Sequence, residues 1–509
     1  MKRIIAIAFS LLPLLTMAQN MSIKVDSVGS LAKQLPDSIR FKVSELKVSG
    51  PLNGADLKLL QQIVNRPKAN DKKGEVVVTS IDLSDATITE SKDGIRTKAN
   101  ELPNGMFTGA RQLVKAVLPN DLISIGNDAF DGCSSLPAIT IPDGVIIIGN
   151  EAFKGCEQLT SINMPERVAK IGSSAFAGCR ALTTVIIPGK VDKIENSTFR
   201  DCESLNNLNL PEDINSIGND AFENCKSLTS VSFTKLSKLG SDAFKNCVSL
   251  TSVTIDGSID DINPGTFQGC TSLSSVSLPK GIKIIDGNAF RDCKCLASIE
   301  FPSSLQKLGS SAFLGCTSLR DAILPTMMKS IGSSAFEGCT SLDSVAIGGT
   351  VPEIDSRTFY QCSALRAITL PTTVKKLGTK AFQECTSLSA ITLPVALQQI
   401  GDDAFEKCTS LQDIKLPVSV VIIGSDAFYG CTMLGRAELS VALKKIGGEA
   451  FAKCPSLREV VLNCPAPPAI SRSTFKDVIS CTFLVPRGCR NIYTSNKDWM
   501  KIDNIKENR

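Results

Sequence analysis

The chain has 509 residues, of which 43% are hydrophobic and 21% charged, with a formal net charge of +4 and no histidine. This balance describes an ordered, soluble polypeptide without the basic excess of a nucleic-acid binder. The missing histidine removes Ser-His-Asp and Cys-His catalysis, His-ligated zinc and a His general base, and leaves an enzyme only carboxylate or Ser-Lys chemistry.

Residues 1–18 read as a signal peptide. Lys2 and Arg3 form a positive start, residues 4–15 are mostly apolar, and Thr16-Met17-Ala18 supplies small residues for cleavage after Ala18. The apolar run is too short to span a bilayer and is interrupted by Pro13, so an exported chain with no stable membrane span is expected.

Residues 19–100 are expected to form an amino-terminal cap. A strand is predicted at 45–48. Asn53 can cap a helix carrying Leu57, Leu60 and Val64 on one face. Residues 65–73 read as a polar loop. A second strand is predicted at 76–83, where Ser80-Ile81-Asp82-Leu83 resembles a degenerate repeat strand.

Residues 101–462 repeat. Phe recurs from Phe107 to Phe475, and fourteen of the sixteen intervals are 23 residues long. Periods of roughly 20–50 residues denote solenoids, propellers or arrays. Leu stands six residues after Phe in sixteen repeats, and Cys three after it in fifteen, Cys133 to Cys454, with Ala110 in the first. Aliphatic residues follow at nine and eleven, as in Ile139 and Ile141, often before a Pro such as Pro142. The unit reads approximately AFxGCxSLxxIxLPxxVxxIGxx.

Each column predicts a local structure. L-x-x-I-x-L is a short strand with alternate residues inward, and Pro, lacking a donor, ends it. V-x-x-I is a second extended segment, and glycines such as Gly149 and Gly172 permit a tight bend. Asn150 and Ser173 can cap short helical turns at Ala-Phe. One coil buries little alone, so stacking must join the Phe, Leu, Ile and Cys columns into one core.

Residues 463–509 close the array. Cys464-Pro465-Ala466-Pro467-Pro468 breaks the pattern, Phe475 opens a degenerate coil, 483–486 form a last strand, and Tyr493, Trp499, Ile502 and Ile505 supply apolar closure. Trp499 has an alternative reading as a ligand platform. The repeat cysteines read as free buried thiols in an apolar stack, and a bridge between Cys464 and Cys481 is open.

No cofactor, metal or catalytic residue is indicated; Asp256, Asp260 and Asp261 cluster without calcium-loop spacing. Two surface features remain. Exposed strand positions such as Thr140, Asn163, Ser230, Ser232, Thr254 and Ser277 are small and polar, turning charged at Asp413, Lys415, Arg436, Glu438 and Glu459. Lys170, Lys193, Lys238, Lys307, Lys376 and Lys445 occupy one repeat position, a broken basic stripe able to attract acidic partners or to serve only as a solvated edge.

The repeat columns resemble the BspA-like leucine-rich repeat proteins of bacterial surfaces, over about residues 102–462. The resemblance implies an α/β solenoid, a curved right-handed superhelix of about 23-residue coils with short parallel strands and short helical turns. It also implies a secreted or cell-surface scaffold that binds protein ligands in adhesion or attachment to host or bacterial surfaces. Glycan or mucin binding for nutrient capture, and a structural envelope role without a discrete ligand, are the alternatives.

Overall fold

The repeat interval becomes a spatial interval: residues 22 to 24 apart in the chain face each other across neighbouring coils. The computed structural model describes residues 19–66 and 76–508; the expected signal peptide lies outside the described residues, as does most of the polar loop. Chain contacts divide into two compact units, one ending at Leu182 and one beginning at Thr183.

In the first unit, Ser161–Asn163 lies parallel to Ala138–Thr140, each residue opposite its equivalent 23 positions away. A second parallel ladder runs through Glu101–Leu102, Ser124–Ile125, Ile147–Ile148 and Lys170–Ile171. The second unit repeats both arrangements. Ser230–Leu236, Ser252–Gly257 and Ser275–Ser277 form part of its first ladder. Glu353–Ile354, Lys376–Leu377, Gln399–Ile400, Ile422–Ile423 and Lys445–Ile446 form part of its second.

The interior holds the Phe, Leu and Cys columns. Every column ring from Phe107 to Phe451 is fully buried. Successive rings stack at 5.2 and 5.4 Å through Phe130, Phe153 and Phe176 in the first unit, and at 5.3 Å between Phe290 and Phe313 in the second. Offset ring pairs add about 0.5–1.5 kcal/mol to what burial contributes.

The Ala-Phe corner is a chain of hydrogen-bonded turns, where a short helical turn was expected. Residues two before and two after Phe take left-handed backbone, as at Asp403 (φ 56°) and Lys407 (φ 57°), which a right-handed helix excludes. Left-handed residues turn the N–H groups toward the next coil: Asp403, Phe405 and Lys407 donate to the carbonyls of Ser425, Ala427 and Tyr429 at 2.7–2.8 Å. The corner is therefore a third inter-coil ladder.

Two expected local roles change with it. Asn150 does not cap its own turn; its Oδ1 accepts the N–H of Ser173 in the next coil at 3.0 Å, and Asn127 serves Asn150 likewise at 2.9 Å. Gly149 and Gly172 do not supply left-handed backbone. A Cβ on Gly172 would stand 2.4 Å from Asn150 N, so this glycine column lets adjacent coils approach.

At the amino-terminal side, Gln19–Lys24 pairs with Val43–Leu52, which pairs with Ser80–Asp82, which pairs with Lys115–Val117 of the first full coil. The degenerate strand thus continues the ladder. The helix Gly54–Val64 begins at Asn53, whose Oδ1 accepts from Ala55 and Asp56 while the Asp56 carboxylate returns to the Asn53 N–H. Buried Asp56 also accepts from Gly29 and Leu31, fastening the preceding loop.

At the other side, Thr482–Val485 and Ile505–Glu507 extend the first ladder. Tyr493 and Trp499 are fully buried, so Trp499 closes the core and is no ligand platform. The Tyr493 hydroxyl donates to Cys464 O and the Trp499 indole to Pro468 O, both at 2.8 Å, which holds the proline-rich break against the cap.

Candidate functional site

The cysteine column is structural. Each of the fifteen column thiols, Cys133 to Cys454, is buried and outside any disulfide, whereas Cys295, off the column, is exposed. Cys316 Sγ donates to Phe290 O of the preceding coil at 3.1 Å, and the same contact recurs at Cys156 and Cys408. A thiol is thus both a small apolar filler and a weak donor to a carbonyl inside the core. Burial pushes the Cys133, Cys270 and Cys454 thiols up to about 12, which keeps them protonated and poorly nucleophilic. Cys464 and Cys481 are both free, and the Cys464 thiol lies 3.2 Å from the Tyr493 hydroxyl, so the open bridge is not formed.

The lysine positions fall on the second ladder, each exposed and each the first residue of a two-residue strand. Lys170 stands beside Ile147. Lys193 and Lys238 flank Ser216, and Lys376 stands between Glu353 and Gln399. Lys193, Lys307 and Lys376 pair with Glu195 (2.9 Å), Asp286 (3.9 Å) and Glu353 (3.8 Å). Acidic neighbours therefore neutralise half of the column, which reduces its long-range field. Lys170, Lys238 and Lys445 make no ion pair among the described residues.

The first ladder presents a different surface. In register on its outward side stand Ser230, Ser252 and Ser275, and beside them Ser232, Thr254 and Ser277. Their alternation with the buried Val231 and Val253 turns the hydroxyls outward. Exposed Ile186 and Ile323 interrupt this polar face. Near the end it becomes a charge checkerboard: Asp413, Arg436 and Glu459 are neighbours in one row, Lys415 and Glu438 in the next. Arg436 pairs with Glu459 at 2.7 Å and Glu438 at 3.3 Å, and Lys415 with Glu438 at 3.2 Å. The predicted charged end is thus internally compensated.

The acidic trio is dispersed in its contacts. Asp260 pairs with Lys283 at 3.0 Å and Asp256 accepts from Gly257. Among the described residues, no cluster of Cys, Asp or Glu side chains could hold a metal ion. No helix there is long and apolar enough to cross a membrane.

A scan of protein families matches the BspA type Leucine rich repeat region, in six copies, over residues 100–229, 237–366 and 352–482. A search of curated proteins finds no match. Among solved structures, a leucine-rich repeat protein from Bacteroides ovatus is 34% identical with a TM-score of 0.59, covering 68% of this chain and 91% of its own. A leucine-rich repeat protein of T. pallidum is 36% identical over 32% of this chain and 72% of its own, with a TM-score of 0.28. A leucine-rich cell surface protein from Faecalibacterium prausnitzii is 23% identical over 69% of this chain and 84% of its own, with a TM-score of 0.33. The family model, which matches more than half of the chain, and the 34% identity to the Bacteroides ovatus protein agree with the Phe and Cys columns: the chain belongs to the BspA-type leucine-rich repeat family.

Proposed function

We propose that the protein is a non-catalytic cell-surface scaffold whose first strand ladder binds protein ligands, in adhesion or attachment to host or bacterial surface macromolecules. The observation carrying this reading is the in-register double row of outward hydroxyls, Ser230, half-buried Ser252 and Ser275 beside Ser232, Thr254 and Ser277, the other five exposed. Such a surface offers many repeated hydrogen-bonding positions that need no deep pocket. Export by residues 1–18 places it outside the cell, and the division into cap (19–100), repeats (101–462) and closing segment (463–509) assigns the binding face to the repeats. The lysine column is an accessory acidic-partner site in this reading.

The test is capture of host-matrix and bacterial-surface proteins by the mature protein. Ser230→Arg, Ser252→Arg and Ser275→Arg together are expected to abolish capture without lowering the melting temperature. Replacing Lys170, Lys238 and Lys445 with Glu is expected to weaken it only at low salt. Unchanged capture by the arginine variant refutes the face assignment. A positive glycan array with no protein captured transfers the reading to glycan or mucin binding.

A further inference from the structure

The corner ladder has an unfinished end. Phe451 and Lys453 donate to Thr474 O (2.9 Å) and Lys476 O (3.1 Å) of the last coil. Among the described residues no further coil follows, and the N–H groups of Phe475 and Asp477 have no acceptor. The Phe475 ring is half-buried, whereas every earlier column ring is sealed. Phe483 packs edge-on against it at 4.9 Å, and Trp499 covers another side at 6.1 Å.

What remains open is a cavity of about 570 Å³ with Phe475, Phe483 and Ile502 in its wall. That volume lies in the ordinary range of ligand pockets, ~300–1,000 Å³. Arg472, Lys497 and Lys501 also line it, and none makes an ion pair among the described residues. Asp498 and Asp503 share the lining and leave one positive charge in excess.

The coils above show what this end accepts. There, the N–H groups equivalent to those of Phe475 and Asp477 donate to carbonyls flanking an aromatic residue, and that ring stacks on the one beneath, as Phe428 and Phe451 do at 5.1 Å. We propose that the cavity binds a short extended segment of a partner protein carrying an aromatic side chain with acidic neighbours. The ring lies on Phe475, the carbonyl before it accepts from the Phe475 N–H, and the carboxylates face the cationic rim. Addition of chain to a ladder end is an established mode of peptide recognition. A second folded copy cannot supply the segment from its own column, because its rings from Phe107 to Phe451 are buried.

The site is separate from the strand face, so its failure and that of the adhesion reading are distinguishable. The probe is the peptide acetyl-Asp-Ala-Phe-Glu-amide, titrated into the mature protein and followed by calorimetry and by Trp499, the one tryptophan of the chain. Saturable binding is expected, weakened at least about tenfold when the peptide's Phe becomes Ala. Lys497→Gln with Lys501→Gln is expected to weaken it about threefold at low salt, with less effect at high salt and no change in melting temperature. Ser230→Arg with Ser252→Arg is expected to leave it unaltered. The proposal is overturned if the Ala peptide or a Lys-Ala-Phe-Lys peptide binds equally well, if no probe binds at millimolar concentration, or if 3-phenylpropionate binds more tightly than the peptide.

Discussion

The two ends of the repeat array face opposite chemical problems. A stack in which each coil donates to the next exposes unused carbonyls at its first coil and unused N–H groups at its last. In the first unit, Gln61 of the capping helix donates to Gly105 O at 2.8 Å and Asn65 reaches Met106 O at 3.5 Å, while Gln112 of the first coil returns a bond to Val64 O. Side-chain amides therefore cover that end, meeting the ladder carbonyl of Met106 and the adjacent Gly105 O. In the second unit, the closing segment covers the Phe475 ring only in part, and among the described residues nothing accepts from the Phe475 and Asp477 N–H groups. Sealing follows need: an apolar interior must be closed at both ends, but a polar corner can remain available to a ligand.

The largest expected effect tests interior against end. Phe290 is stacked between Phe267 at 5.4 Å and Phe313 at 5.3 Å and is fully buried. Phe290→Ala should destabilise the second unit by about 3–5 kcal/mol. Phe475→Ala, at a half-exposed ring with one stacked neighbour, should lose less than about half of that. Urea midpoints of the two variants decide it; equal losses would show that the terminal ring is as enclosed as the interior ones.

The next effect sharpens the account of the sealed end. Gln61→Ala with Gln112→Ala removes the amides stitching the helix to the first coil, at about 1 kcal/mol for each bond lost. Hydrogen exchange should accelerate in residues 54–66 and 101–113 and stay unchanged from 199 onward, because stability in stacked coils is local.

What was legible in the sequence follows the same division. The 23-residue period, the strand positions, the Asn53 cap and the burial of the Phe, Leu and Cys columns could all be read, because each repeats one residue type in one environment. The left-handed corner was hidden because its occupants vary: Asp128, Glu151, Arg357 and Lys380 all take that backbone. The Asn150 and Gly172 roles were misassigned because their partners sit in the adjoining coil, not in the local turn. The charge of half of the lysine column is compensated by residues such as Asp286 and Glu353, whose proximity only the coil register reveals. The terminal cavity had no pattern to announce it, since it arises where the pattern stops.

The thiol column offers a smaller test of the interior. Cys316→Ala removes a buried S–H···O contact and a little volume, with a loss of about 1 kcal/mol expected. In the native protein, a thiol reagent at pH 8 should label exposed Cys295 promptly and leave the column from Cys133 to Cys454 unlabelled until denaturant is added. Disulfide-linked column peptides after non-reducing digestion would contradict the free-thiol assignment.

The smallest effect concerns a single carboxyl in the corner ladder. Burial, then the neighbouring Glu406 and Asp426, push Asp403 up to about 6 against the pull of Lys380. Because the unfolded chain releases this proton near 4, the folded state holds it more tightly between about pH 4 and 6. The stabilisation from that proton is present at pH 4 and lost as the pH rises through 6. Asp403→Asn keeps a side chain suited to the left-handed backbone and removes the charge. It should therefore raise the melting temperature relative to the parent at pH 7.5, by an amount corresponding to under about 1 kcal/mol because Asp403 is partly exposed and its field screened. The advantage should shrink toward pH 4. An advantage that stays constant across that range would mean that the substitution acts through backbone preference alone, and that the charge of Asp403 does not oppose the stacking of its coil.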